Sequence, residues 1–172
     1  MHTLAWKDGV LEVLDQRRLP FETRYETLTD WRSAVAAIKD MTVRGAPLIA
    51  VTAAYAAVLA AADDDLELAL DELERARPTA VNVRNAMRRV RAVASLPGSK
   101  ELRRQMLLNV ARAVEMDELH SCRRIGLYGK KLLENAWAEK RRTLNILTHC
   151  NAGRLACPDY GTATAPIYLA RE

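Results

Sequence analysis

The spacing of apolar residues changes along this chain, and each change predicts an element. Residues 3–6 and 10–14 are short β-prone runs on either side of Lys7-Asp8-Gly9, and Asp-Gly between two such runs signals a tight hairpin. Residues 24–28 predict a third strand. From Asp30 the rhythm becomes helical: Trp31, Val35, Ile38 and Met41 recur at three- and four-residue spacing, behind a candidate cap at Thr29. Pro47 then opens an alanine-rich helix to about residue 62, whose small side chains favour close packing. A short helix begins over residues 66–73. Pro78-Thr79 interrupts the pattern, and residues 80–96 are helical again until Pro97-Gly98. Ser99 caps a long helical region, with a bend, over residues 100–138. After Lys140-Arg141-Arg142, the run Leu144-Asn145-Ile146-Leu147 reads as a buried strand, and a last helix is expected over residues 162–171.

These elements predict a mainly α fold with a small N-terminal β-element. Residues 1–140 form that β-element and a helical domain. Residues 141–172 begin an incomplete Rossmann-like domain with its first strand, turn and helix. One strand cannot satisfy its own backbone hydrogen bonds, and a parallel sheet brings in each neighbour through a crossover of a dozen or more residues. This last segment is therefore expected to pair with another copy, to fold back on the helical body, or to be disordered. No internal repeat or low-complexity linker is visible.

With 172 residues, 49% of them hydrophobic and 28% charged, the chain is globular and can bury a sizeable core. The net charge of +4 suits an anionic substrate. Arg84, Arg88 and Arg91 fall on one helical face with Arg89 beside them, either as a nucleic-acid footprint or as a solvated face; scattered cations balanced by acids favour the second. A single Phe argues against a base-stacking platform. The longest apolar stretch is mostly alanine, interrupted by Pro47, Thr52 and Tyr55, whereas a bilayer span needs about 20 apolar residues. No membrane partner is expected. The N-terminus lacks a basic leader and an apolar core, and the cysteines, Cys122, Cys150 and Cys157, are odd in number. A cytoplasmic protein with reduced thiols is expected.

Four segments carry candidate chemistry. In Val43-Arg44-Gly45-Ala46-Pro47, Gly45 permits close backbone approach, the helix start offers unpaired N–H groups, and Arg44 adds a fork-shaped cation suited to phosphate. The same residues also read as an ordinary loop leading into a helix. Arg77, in Arg77-Pro78-Thr79-Ala80-Val81-Asn82, is a second arginine before a helix start, with Thr79 as a possible cap. Two such segments raise the odds of one shared anion site. Cys150, in Thr148-His149-Cys150-Asn151-Ala152-Gly153, follows the expected strand; a thiol there is either a tuned acid, base or nucleophile or a small buried hydrophobe. Zinc at His149, Cys150 and Cys157 is disfavoured, because no C-x-x-C pair is present. The fourth segment is the arginine stripe.

Taken in order, these motifs resemble the methylthioribose-1-phosphate isomerase family, relatives of the regulatory subunits of translation initiation factor two-B. The resemblance runs from Trp6-Lys7-Asp8-Gly9 and Leu14-Asp15-Gln16-Arg17-Arg18-Leu19-Pro20 through the Arg44 and Arg77 segments. It continues through Arg124-Ile125-Gly126 with Gly129, and ends on the Cys150 segment and Tyr160-Gly161-Thr162-Ala163. It implies an aldose–ketose isomerase of methionine salvage, converting 5-methylthioribose 1-phosphate to the ketose phosphate with no metal or nucleotide cofactor. It implies substrate contacts at Arg44, Gly45, Ala46 and Arg77, and a catalytic role for Cys150. A second catalytic residue, an aspartate, lies in the family's C-terminal domain, and Asp117 and Asp159 are in the wrong sequence context to replace it. This chain alone is therefore expected to have little or no activity, and to associate with itself or with the missing domain. Arg154 is a bulky cation where a small residue is usual, and is expected to crowd the pocket or disturb Cys150. The alternative is a non-catalytic interaction module related to the initiation-factor subunits.

Overall fold

The computed structural model describes residues 1–171. Three antiparallel strands, β1 (Leu4–Lys7), β2 (Val10–Leu14) and β3 (Tyr25–Leu28), form a sheet in the order β1-β2-β3. Asp8 and Gly9 both take positive φ, +48° and +86°, as the primed turn of a two-residue hairpin requires. Leu4 pairs with Val13 and Leu11 with Leu28, so the strands bury these four side chains on the core side.

Six helices follow among the described residues: α1 (Trp31–Lys39), α2 (Ala46–Leu59), α3 (Leu66–Arg75), α4 (Val81–Ala94), α5 (Lys100–Lys140) and α6 (Ala165–Leu169), with short 3₁₀ turns at Ala60–Ala62 and Arg154–Ala156. Helix α2 is the centre. Every residue from Leu48 to Val58 is buried, which fits a helix that is apolar on all sides. Helices α1, α3, α4 and α5 pack around it, and α2's alanines let their backbones approach. Its buried Thr52 hydroxyl is satisfied locally, with Oγ1 donating to the Leu48 carbonyl at 2.9 Å, and the Tyr55 hydroxyl donates to Glu115 on α5.

Local details correct several expectations. Asp30, not Thr29, caps α1 by accepting from the Ser33 amide at 2.9 Å. Met41 lies beyond α1 with φ +68° and is half-exposed, so it does not belong to the buried stripe of Trp31, Val35 and Ile38. Ala80 occupies the cap position of α4 without a side-chain bond, so Thr79 is not the cap. Residues 144–147 form no strand. Leu147 is 96% exposed and Ile146 46%; no neighbouring strand is present among the described residues to pair their backbone.

The last helix does fold back. Helix α6 docks on α5 where Gly126 and Gly129 leave room: a β-carbon at Gly126 would lie 2.5 Å from Leu169 Cδ1, and one at Gly129 2.3 Å from Pro166 Cγ. The segment between α5 and α6 is also anchored to the N-terminus. Thr3 Oγ1 donates to the Cys157 carbonyl at 3.0 Å and Gln16 Nε2 to the Leu155 carbonyl at 2.7 Å, both from buried side chains.

Candidate functional site

The start of α2 is shaped by one glycine. Gly45 has φ +100°, and a β-carbon there would fall 2.5 Å from the Cα and Cβ of Ala156. The close approach expected at Gly45 is therefore made by the 3₁₀ turn of residues 154–156, seated against the first turn of α2. Gly45 brings no side-chain cap, and Pro47 has no N–H, so helix geometry leaves the early amides of α2 without intrahelical acceptors. The positive end of the α2 dipole adds to this and favours an anion.

A cavity of about 910 Å³ opens at this point. Arg44, Gly45 and Ala46 line it from the start of α2, Arg77 from the segment before α4, and Cys150 from the turn after α5. Arg44 is exposed and Arg77 half-buried, and neither guanidinium pairs with a carboxylate of the described residues. The α4 stripe behaves differently. Arg91 binds Glu67 and Asp71 at 2.7 and 2.6 Å, Arg84 lies 3.9 Å from Glu74, and Arg89 binds Asp117 at 2.7 Å. The stripe is largely a charge seam between α4 and its neighbours α3 and α5: Arg84, Arg89 and Arg91 are held by acids of this chain, while Arg88 donates to the Asn85 amide oxygen.

Cys150 is exposed, with φ +71°, a left-handed conformation uncommon outside glycine. The turn that carries it is tightly crossed. Gly161, φ +78°, lies so close to Gly153 that a β-carbon would fall 2.3 Å from the Gly153 carbonyl carbon. Cys157 is buried inside the same turn: the Gly161 amide donates to its sulfur at 3.0 Å, and the carbonyls of Asp159 and Gly153 lie 3.0 and 3.5 Å from it. Burial and its interaction with Cys122 on α5 push the Cys157 thiol up, while the same interaction holds Cys122 below the ordinary thiol range against its own burial. Cys157 thus faces Cys122 and the interior of its own turn.

Arg154 does not crowd the cavity. Its Nε binds Asp159 at 2.9 Å and its guanidinium lies 5.5 Å from the centre of the Tyr168 ring, away from the cavity lining. Asp159 is thereby occupied, and it also accepts from the Tyr160 amide at 2.7 Å. Asp117 does reach the cavity wall, but with Arg89 on its carboxylate. Beside it stands Glu118, which accepts from Asn82 Nδ2 at 2.8 Å. Glu118, Thr3, Gln16 and the Cys122–Cys157 contact carry no signal of their own in the sequence. Their partners lie 35 to 154 residues away, beyond the reach of any local pattern.

Among the described residues no helix is long and apolar enough to cross a membrane. Residues 42–172 match the Initiation factor 2 subunit family. The chain is 44% identical over 169 residues to a methylthioribose-1-phosphate isomerase of Methylorubrum extorquens, covering 96% of this chain and 46% of that protein. It is 45% identical to the enzyme of the same name from Rhodospirillum centenum, covering 98% of this chain and 45% of that one. The chain thus spans about half the length of the curated relatives it matches. Among solved structures, 5-methylthioribose 1-phosphate isomerase from Pyrococcus horikoshii superposes with a TM-score of 0.82 at 29% identity, over 99% of this chain and 49% of that one. The translation initiation factor eIF-2B subunit delta from A. fulgidus gives 0.75 at 30% identity, over 99% of this chain and 51% of that one. On its sequence match from Thr42 onward and on this shared fold, the chain belongs to the Initiation factor 2 subunit family.

Proposed function

We propose that the cavity holds a phosphorylated aldose as part of the site of a 5-methylthioribose 1-phosphate isomerase. The phosphate sits between Arg44, Arg77 and the start of α2, and the reacting carbons sit near Cys150. The observation that carries this reading is the convergence of Arg44, Gly45, Ala46, Arg77 and Cys150, from three separate stretches of chain, on one cavity. The relatives that bear the enzyme's name supply the substrate class.

The chemistry suits these groups. With its C1 oxygen esterified, the sugar cannot open its ring as a free aldose does. A proton must reach the ring oxygen as the C1–O bond breaks, hydrogen must leave C2 for C1, and the C2 hydroxyl must lose its proton to become the ketone. The molecular formula is unchanged. Two arginines hold the phosphate and fix the position of C1 and C2. The Cys150 thiol, facing the cavity from a strained turn, handles one of the protons. Of the other titratable groups at or near the cavity, Asp159 is bound to Arg154 and Asp117 to Arg89, whereas His149 and Glu118 also line the wall. A positioned general acid or base is worth about 10²–10⁴ in rate, so turnover depends on whether one of these groups reaches the ring oxygen or the C2 hydroxyl. The likeness to the subunit delta structure favours a second reading, a non-catalytic module that docks a partner through the exposed Leu127, Tyr128, Leu132 and Trp137 of α5.

Phosphorus NMR with 5-methylthioribose 1-phosphate tests the first reading. The expected result is saturable line broadening with slow or no conversion, and broadening retained in Cys150→Ala. A sharp, unshifted phosphate resonance at millimolar protein would remove the sugar-phosphate reading. Conversion that survives in Cys150→Ala would remove Cys150 from the chemistry.

A further inference from the structure

Part of the cavity wall is used by neither the phosphate nor Cys150. Along α5, Glu118, Ser121 and Ile125 line it at three- and four-residue spacing, the pattern of a single helix face. Glu118 is half-buried, and so is Asn82, which lines the cavity from the first turn of α4. Asn82 Nδ2 donates to Glu118 Oε1 at 2.8 Å, so residues of two helices fix the direction of the carboxylate. Asp117 beside it holds Arg89, whereas no cation of the described residues pairs with Glu118. An ionised carboxylate offers about four acceptor positions, and Asn82 fills one of them. A half-buried carboxylate with a single donor is short of partners, and hydroxyls of a ligand in the cavity can supply the others.

We propose, on the sugar-phosphate reading of this cavity, that Glu118 accepts hydrogen bonds from the C2 and C3 hydroxyls of the sugar, with Asn82 as its positioning residue. In the furanose ring of 5-methylthioribose 1-phosphate, C1 carries the phosphate, the C4 oxygen closes the ring and C5 carries sulfur. C2 and C3 therefore hold the free hydroxyls, and in ribose these are cis, spaced to meet both oxygens of one carboxylate. Charge sorts the two ends of the ligand. Arg44 and Arg77 hold no carboxylate of the described residues and draw the phosphate, while Glu118 repels phosphate and draws O–H donors. Inorganic phosphate satisfies only the arginines, and an unphosphorylated diol only Glu118. The cavity thus selects a phosphate ester that also carries a vicinal diol, and the two contacts together orient the ring before Cys150.

Calorimetric titration of the chain tests this with three ligands: 5-methylthioribose 1-phosphate, its 2-deoxy analogue and inorganic phosphate. Wild type should bind the 2-deoxy analogue about tenfold more weakly than the parent sugar phosphate, as loss of a hydrogen bond to a charged group implies. Glu118→Gln should weaken the parent sugar phosphate by about tenfold or more and shrink its advantage over the 2-deoxy analogue. Inorganic phosphate should bind this variant as tightly as wild type or more tightly, because a like charge has been removed. Asn82→Ala should weaken the sugar phosphate by a smaller factor and leave inorganic phosphate unchanged. Equal affinity of wild type for the parent and 2-deoxy sugars would overturn the proposal. So would equal losses for sugar phosphate and inorganic phosphate in Glu118→Gln, which would mark a structural role. Wild type that binds inorganic phosphate as tightly as the sugar phosphate would overturn the hydroxyl contact and leave the arginine site standing. Wild type that binds neither would remove the sugar-phosphate reading, and this assignment with it.

Discussion

At the scale of single residues, charge placement separates structure from site. Asp15 is fully buried and accepts from the Arg17 side chain at 2.8 and 2.9 Å and from its amide at 3.0 Å; Arg17 also binds Glu26 and Asp40. This cluster ties the end of β2 to β3 and to the end of α1. The Arg17 hydrogen bonds hold the Asp15 carboxyl down to about 2, from an ordinary 3.8. The folded chain therefore binds this proton less readily than the unfolded one. The stabilisation is complete above about pH 4 and is lost as pH falls through 2. Asp15→Asn should cost about 1.5–3 kcal/mol at neutral pH. Urea unfolding at pH 7 and pH 3 checks this, and the variant should lose less stability than wild type on acidification. Arg44 and Arg77, in contrast, hold no carboxylate among the described residues, as expected of cations placed for a ligand. The sequence marked them by their position at helix starts. It could not mark Gln16 or Thr3, whose partners in the 155–157 segment are fixed only by the tertiary fold.

At the scale of elements, what could be read was what local rules govern. Asp8-Gly9 announced the hairpin, and Ser99, whose side chain accepts from the Leu102 amide at 3.2 Å, announced the start of α5. Pro47 marked α2 in the same way. Leu144 to Leu147 misled because an apolar run reports only a tendency, and a strand exists only with a partner backbone. Helix α5 shows the opposite conflict. Gly126 and Gly129 weaken the helix intrinsically, by about 1 kcal/mol each relative to alanine, yet both lie where α6 packs. Gly129→Ala therefore has a revealing sign. Propensity alone predicts a small gain in stability, whereas the contact with Pro166 predicts undocking of α6. Hydrogen exchange should show α6 amides losing protection, with no gain in melting temperature. Unchanged protection in α6 would mean that the glycine is not what seats it.

At the scale of the whole molecule, the helical body acts as a frame for one concave face. Buried α2 directs its N-terminus into the cavity, Thr3 and Gln16 at the ends of β1 and β2 clamp residues 155–157, and the α5–α6 contact holds the far end of the segment that bears Cys150. Groups distant in sequence are thereby brought around a space large enough for a sugar phosphate. The most direct test is a calorimetric titration of the chain with 5-methylthioribose 1-phosphate and with unphosphorylated methylthioribose, repeated on Arg44→Ala and Arg77→Ala. The account predicts that only the phosphorylated sugar binds, and that each substitution weakens it by about tenfold or more, as loss of a charge-assisted hydrogen bond implies. Equal affinity for the two sugars, or unaltered binding in both variants, would contradict it.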